Sequence, residues 1–599
     1  MIAFLKWLGH IVTGTLNGLV MLALGIGIVV AGVLIAGLVE GDGLPGNMVL
    51  TMNLSGNLPD SRPQTPWFAP TQMTVMKTIL ALDRAGRDHR VKGLFLKLGS
   101  AGLSVPEAEE LSAAIARFRR EGKFVIADAQ GFLSTGLGDY LLATSANQIW
   151  MQPQSPFEPA GTSAGAIFLR GLFDKIDAVP QMVKRAQFKS AADEFMKKDY
   201  TAADRLQTTV LLQSWYDSAT AAAAQARGIS RAKLIAVMDA SPTFAQDVKK
   251  AGLIDRIGYD SDALQAALER AGSGGKPVKL ARYAVATAPG SSFGSGSRVA
   301  LIEGDGDIVD GSAHPSLLSA TSVIAGDSFS KAILAAADEK SIKAIILRID
   351  SPGGSVLASD QILHAVRVAQ AKGKPVVVSM GAVAASGGYY ISSSANRIVA
   401  EPGTVTGSIG VLTGKVSFGK SLALIGVGAD EIGVGKNALA DSSLTPYTKA
   451  QLAALNKQAD VIYLAFKQKV ADGRKMPLAK VDAIAKGRVW SGIDAKSHDL
   501  VDALGGFWTA VAEAKQLAHI PADQRVVFAR FPRSQGFFDQ LGSIFGDGET
   551  GLKAMQGLVD LAQTPLLRAA VAALSIAPAG GVEMRAANLP LPTSSLAPQ

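Results

Sequence analysis

The chain repeats itself, and an internal repeat restricts the available folds more than composition does. Val91-Lys92-Gly93-Leu94-Phe95-Leu96-Lys97-Leu98 matches Ile342-Lys343-Ala344-Ile345-Ile346-Leu347-Arg348-Ile349 at an offset of 251 residues. Gly122-Lys123 before Phe124-Val125-Ile126 keeps that offset against Gly373-Lys374 before Pro375-Val376-Val377. Ser145-Ala146-Asn147-Gln148-Ile149 then matches Ser394-Ala395-Asn396-Arg397-Ile398 at 249, so two residues were gained or lost between. The body therefore divides into two related halves, 47–287 and 298–533, joined by a Gly- and Ser-rich linker over 288–297. Each half reads strand, helix, strand, helix, strand. Over 357–372, Ile362, Val366 and Ala369 recur at three- and four-residue steps, with Ser355 or Ser359 as cap and Gly373 as stop. The runs 344–349 and 375–378 on either side are short and apolar. Short apolar strands alternating with helices predict an α/β fold whose mostly parallel sheets are covered on both faces.

At 599 residues the chain is too long for one core, and 48% apolar with 18% charged residues places its body in the globular class. The net charge of +8 is not gathered into a basic, aromatic-interleaved patch, which argues against a nucleic-acid partner. With no cysteine, thiol catalysis, disulfides and thiolate metal sites are excluded. Residues 7–39 hold no Asp, Glu, Lys or Arg, and 19–39 are almost wholly Leu, Ile, Val, Ala, Met and Gly. A membrane span needs about 20 such residues, whereas the apolar core of a cleaved signal peptide runs about 7–15. The expectation is a retained N-terminal transmembrane helix, with 1–46 as the anchor unit and 11–39 in the bilayer. Lys6 precedes the span and Glu40 and Asp42 follow it, so the body is expected on the side away from the cytoplasm. Beyond 533, a helical period over 552–574 gives way to a Pro-, Ala- and Ser-rich stretch, 577–599, expected to be disordered.

Differences between the halves bear on chemistry. The stretch 376–390 passes from a β-branched run through small residues into Ser386-Gly387-Gly388. A serine at such a strand-to-helix turn can act as a nucleophile, because the backbone holds it up and tiny neighbours leave room for a carbonyl. Close packing of helix on sheet explains the same small residues. Ser351-Pro352-Gly353-Gly354-Ser355 stands where the first half has Ser100-Ala101-Gly102-Leu103-Ser104, and paired glycines suit a backbone N–H donor to an oxyanion. Position 386 corresponds to Leu137, with Ser134 and Thr135 nearby, so the first half lacks both features together. The six histidines form no Ser/His/Asp arrangement, which turns attention to a lysine base. A lysine acts so only if burial lowers its pKa by several units. Lys189, within Gln187-Phe188-Lys189-Ser190-Ala191, and Lys436, within Gly433-Val434-Gly435-Lys436-Asn437, are the two candidates. Two further motifs are read as turns. Gly161-Thr162-Ser163-Ala164-Gly165 follows three prolines rather than a strand, and Glu303-Gly304-Asp305-Gly306-Asp307 lacks the closing Glu of a calcium loop.

Asp350-Ser351-Pro352-Gly353-Gly354, Ala384-Ala385-Ser386-Gly387-Gly388-Tyr389-Tyr390, Thr406-Gly407-Ser408-Ile409-Gly410-Val411 and Phe188-Lys189-Ser190-Ala191 occur in one duplicated chain. In this the sequence resembles the signal peptide peptidase A (protease IV) family in its long, duplicated form. The resemblance implies two tandem crotonase/Clp-protease-like repeats and a Ser-Lys dyad, with no metal or cofactor. It implies that Ser386 of the second half meets Lys189 of the first, with Lys436 as the alternative base. Ser408 would orient the lysine, and the N–H groups of Gly354 and Gly387 would form the oxyanion hole. Further implications are apolar signal peptides as substrates, a homo-oligomer (a tetramer), and a single-pass protein of a bacterial-type inner membrane with its body in the periplasm. Two other functions stay open at this point: a crotonase-like acyl-CoA enzyme, since paired N–H groups also stabilise an enolate, and a non-catalytic membrane scaffold.

Overall fold

The computed structural model describes residues 42–54, 56, 58–61, 73–99, 102–133, 137–288, 296–312, 322–532 and the backbone of 583–585. The expected membrane span over 11–39, most of the linker and the expected helix over 552–574 lie outside the described residues. Among the described residues no helix is long and apolar enough to cross a membrane.

The first half contributes β1 (Met48–Asn53), β2 (Val91–Leu98), β3 (Phe124–Ala129), β4 (Gln148–Met151), β5 (Pro156–Phe157), β6 (Val179–Arg185), β7 (Thr243–Phe244), β8 (Arg256–Ile257) and β9 (Lys276–Lys279). The second contributes β10 (Ser297–Asp305), β11 (Asp307–Val309), β12 (Val323–Ala325), β13 (Ile342–Ser351), β14 (Gly353–Ser355), β15 (Val376–Ala385), β16 (Arg397–Ala400), β17 (Val405–Gly407), β18 (Val411–Ser417), β19 (Val489–Ser491), β20 (Ala503–Leu504) and β21 (Val526–Phe531). A sheet of order β8-β4-β3-β2-β1-β9, parallel throughout, forms the first half. The order β20-β16-β15-β13-β10-β21, also parallel, repeats it in the second. Duplication is thus visible in topology.

The residues the halves share turn out to be scaffolding. Asn147 and Asn396 each accept an N–H from the first two residues of the neighbouring strand, from Val125 and Val376, at 2.8 Å. Lys123 donates to the carbonyls of Asp88 and Val91, and Lys374 to those of Glu339 and Ile342. The Tyr140 and Tyr389 hydroxyls donate to the Leu253 and Leu500 carbonyls, both at 3.0 Å. Each contact satisfies a buried or strand-end backbone group, a need that both copies have.

Two expectations about local structure need amendment. The strand expected over 375–378 runs on to Ala385, because its later residues pair with β17 while its earlier ones pair with β16. The helix spans Val356–Ala371 with Ser355 as its cap, its hydroxyl accepting from the Ala358 N–H, so of the two serines proposed the first serves. The C-terminal stretch expected to be disordered contributes a strand, β22 (Glu583–Arg585).

The halves do not stand apart. A third sheet, of order β12-β11-β14-β22-β18-β6, takes β6 from the first half and pairs it antiparallel with β18 along its whole length, Arg185 opposite Val411 and Val179 opposite Ser417. One apolar core holds Leu96, Leu111 and Ile115 of the first half together with Leu301, Ile346 and Val377 of the second. Within this joint Arg348 is buried and binds Asp60 at 2.6 Å and Glu110 at 2.7 Å, both from the first half. Burial pushes nearby carboxyl groups up, Asp305 to about 6 and Glu109 to about 7. The joint matters because it decides how the two halves are placed around Ser386.

Candidate active site

Strand β15 ends at Ala385, and the helix Gly387–Ser392 begins two residues later, so Ser386 is the turn itself. Its φ of 56° lies in a region that side chains other than glycine rarely adopt, and the Ser386 N–H is held by the Gly407 carbonyl at 2.8 Å. Small neighbours are required there. A Cβ on Gly387 would lie 3.1 Å from the Gly354 nitrogen and 2.9 Å from Ser359 Oγ. A Cβ on Gly354 would fall 2.1 Å from the Ile308 carbonyl oxygen, and its φ of +147° excludes most side chains in any case. The close approach of Gly387 to the Gly354 nitrogen brings the two glycine positions together beside Ser386.

The matching place in the first half illustrates what such backbone N–H groups attract. Helix Leu137–Ala143 begins where the second half has Ser386 and its helix, and Asp139 stands at the register of Gly388. The buried Asp139 carboxylate accepts the Leu103 N–H at 3.2 Å and the Gly102 N–H at 3.3 Å, and these residues match Gly354 and Gly353. An anionic oxygen from the chain itself fills the first-half cradle. In the second half Gly388 presents no such group.

Lys189 arrives from the first half. It precedes the short turn Ser190–Ala192 and follows β6, whose pairing with β18 carries the segment across the joint. Lys189 Nζ lies 2.7 Å from Ser386 Oγ, 2.9 Å from Ser408 Oγ and 3.2 Å from the Ser408 carbonyl oxygen. The side chain is 1% exposed, and burial holds its amine well below the ordinary 10.5. A neutral amine offers two N–H groups and one lone pair. In that state two donors would suffice for the Ser408 oxygens, leaving the lone pair for the Ser386 hydroxyl.

Space for the lysine comes from two further glycines. A Cβ on Gly410 would lie 3.2 Å from the Lys189 Cδ, and one on Gly487 would lie 2.7 Å from the Lys189 nitrogen. Ser408, at φ 51°, is fixed by its N–H to the Arg488 carbonyl at 2.7 Å. Gln207 was not anticipated from the sequence. Its amide donates to the Phe188 carbonyl and Ser190 Oγ, each at 3.0 Å, and accepts from the Val489 N–H, tying the lysine turn to β19. Its only sequence signal is a glutamine on the buried side of the helix Ala202–Arg227.

The structure brings together Ser386, Lys189, Ser408, Gly354 and Gly387. It does not bring Lys436, which is exposed in the turn after Gly435. Gly161-Thr162-Ser163-Ala164-Gly165 lies in irregular backbone after β5, without the strand-to-helix elbow such a motif needs. Glu303 to Asp307 is the end of β10, a turn at Gly306 and the start of β11.

Comparison with known proteins gives consistent matches. The model of peptidase family S49 matches residues 117–273 and again 368–521, one match in each half. The Clp protease model matches 319–402, which spans β12 to β16. A chloroplastic serine protease SPPA of Arabidopsis thaliana is 32% identical over 86% of this chain and 75% of its own length. Protease 4 of Haemophilus influenzae is 31% identical over 80% of each chain, and that of Salmonella typhi 33% over 74% and 71%. Among solved structures, a membrane-bound stomatin-specific protease carrying a substrate peptide is similar over 41% of this chain and 97% of its own, at 17% identity and a TM-score of 0.24.

Proposed function

The chain belongs to peptidase family S49 and is a serine endopeptidase, and from this premise we propose that it works with Ser386 as nucleophile and Lys189 as general base. The observation that carries the assignment is the 2.7 Å approach of a fully buried lysine, whose neighbours are neutral oxygens, to the serine hydroxyl. Ser386 Oγ attacks the scissile carbonyl carbon as its proton passes to Lys189 Nζ. The carbonyl oxygen becomes an oxyanion between the N–H groups of Gly354 and Gly387; the counterpart of Gly354 in the first half, Leu103, gives its N–H to the Asp139 carboxylate. Collapse of that intermediate breaks the C–N bond, and Lys189 returns the proton to the leaving amine. Water, deprotonated by the same lysine, then releases the acid and restores Ser386. Ser408 supplies the two acceptors that aim the amine, so its role is positioning.

The substrate class we infer is apolar peptide, in particular cleaved signal peptides remaining in a membrane. The charge-free segment over 7–39 supports this reading, because an anchor there would keep the site beside such peptides. On this reading the protein sits in a bacterial-type inner membrane with its body in the periplasm, and it assembles as a homo-oligomer. The test is hydrolysis of a fluorogenic apolar peptide, with membrane fractionation alongside. Wild type should turn over, and Ser386→Ala and Lys189→Ala should not. Turnover of an acyl-CoA thioester in place of peptide would instead favour the enolate chemistry available to related folds.

A further inference from the structure

The third sheet contains a guest. β14, which carries Gly354, and β18, which carries Val411 to Ser417, do not pair with each other; β22 lies between them. Its register sets Met584 opposite Gly354, Arg585 opposite Gly353 and Glu583 opposite both Ser355 and Leu412, and it runs antiparallel to both neighbours. Strands in a sheet are about 4.8 Å apart, so β14 and β18 are separated by a gap one strand wide. That gap abuts the backbone N–H assigned above to the oxyanion. A peptide entering it would gain main-chain hydrogen bonds on both sides with little dependence on its sequence. β22 fills this gap, so a peptide entering it has to displace that strand.

We propose that the C-terminal tail is a tethered competitor: its segment 583–585 adds as a strand to the substrate cleft between β14 and β18 and holds the active site closed until substrate displaces it. This rests on the peptidase reading above for the meaning of the cleft, while the occupancy itself rests on the strand pairing. The tether is long enough. About 50 residues separate β21 from β22, and that many residues can span at most about 170 Å when extended. Tethers of this kind give effective concentrations that approach the millimolar range. A strand whose intrinsic affinity is only about 0.1–1 mM is then bound for much of the time, and a free peptide binds between about twofold and tenfold more weakly. The composition around it suits such a part. The stretch 577–599 is rich in Pro, Ala and Ser, a composition that favours extended chain over a packed core.

The test uses the full chain carrying Ser386→Ala, so that binding is read without turnover, and a labelled apolar decapeptide followed by anisotropy. In a strand with a neighbour on each side, every N–H points at one of them, so Met584→Pro removes a bond and blocks the pairing. Met584→Ala keeps the N–H and serves as the control. The expected result is a severalfold lower Kd for the proline variant, an unchanged Kd for the alanine variant, and competition by a free peptide of sequence 577–591. In the catalytically intact chain, Met584→Pro should lower KM by the same factor and leave kcat alone. Equal affinity with and without Met584→Pro overturns the proposal, as does failure of the free peptide to compete. If the peptide binds as expected but neither wild type nor Met584→Pro hydrolyses it, the tail proposal stands and the peptidase assignment falls.

Discussion

Replacing Lys189 by methionine should abolish activity and, over part of the pH range, change stability in the opposite sense. The side chain is 1% exposed, its three polar neighbours are uncharged, and burial holds the amine well below its usual value. An amine whose folded pKa lies below its unfolded value binds fewer protons in the folded state between the two values. Wild-type stability therefore rises with pH across that window, with a slope of about 1.4 kcal/mol per pH unit, up to the unfolded pKa of about 10.4. Lys189→Met lacks this term. Above about pH 10.4 the variant should be the less stable by about 1–3 kcal/mol, because the buried Ser408 oxygens lose their donors and the Ser386 hydroxyl loses its acceptor. Toward neutral pH the difference should shrink and then reverse. The same ionisation should set the acid limb of kcat/KM, since only the neutral amine can take the Ser386 proton. Loss of the base should cost roughly 10⁴-fold or more in kcat. Urea unfolding of wild type and variant at half-unit steps from pH 7 to 10.5, beside peptide hydrolysis, gives both curves. Lys436→Ala should follow wild type in each, as its side chain is exposed and none of these contacts involves it. A stability difference flat with pH, or a methionine variant within tenfold of wild-type turnover, would refute the reasoning.

Gly354→Ala should place a methyl 2.1 Å from the Ile308 carbonyl oxygen, forcing β14 away from β11 and turning its N–H off the oxyanion. The expected loss is about 10²–10³-fold in kcat, read as slower labelling by a fluorophosphonate in a chain whose far-ultraviolet circular dichroism matches wild type. Arg348→Met should strand two buried carboxylates, Asp60 and Glu110, at the joint between the halves. Breaking a buried pair in this way costs about 3–5 kcal/mol, read as a deficit in urea unfolding, and adding Asp60→Asn should recover part of it.

Much of the site was legible because a duplicated chain carries its own control. Gly-Lys and Ser-Ala-Asn recur in both halves, and the structure explains them by strand-end and backbone groups that both copies must satisfy. Gly353-Gly354 and Ser386-Gly387 occur once, and they are the residues found beside Lys189 and the cradle. The choice between Lys189 and Lys436 was less accessible. Both sit in Gly- or Ser-flanked segments, and no local pattern tells a buried amine from an exposed one. Gln207 and the Arg348 joint were invisible for a related reason: one glutamine in a helix and one arginine in a strand show nothing locally of the bonds they make to Val489 and Asp60, each more than 200 residues away. The strand at 583–585 was obscured by composition, since a segment without a core of its own reads as disordered until a gap in another sheet offers it two edges.

The sequence by itself determined that the chain is a duplicated α/β protein, which copy kept a serine at a strand-to-helix turn, and where backbone N–H groups were left uncrowded. Those properties are local, arising from hydrophobic period, glycine placement and difference between copies. Only the tertiary structure decided that a lysine of the first half lies 2.7 Å from Ser386, that its amine is stripped of water, and that segment 583–585 pairs as a strand between β14 and β18. Each depends on chain segments far apart in sequence meeting across the joint, and burial, the cause of the lysine's shift, is a property of that meeting rather than of any segment.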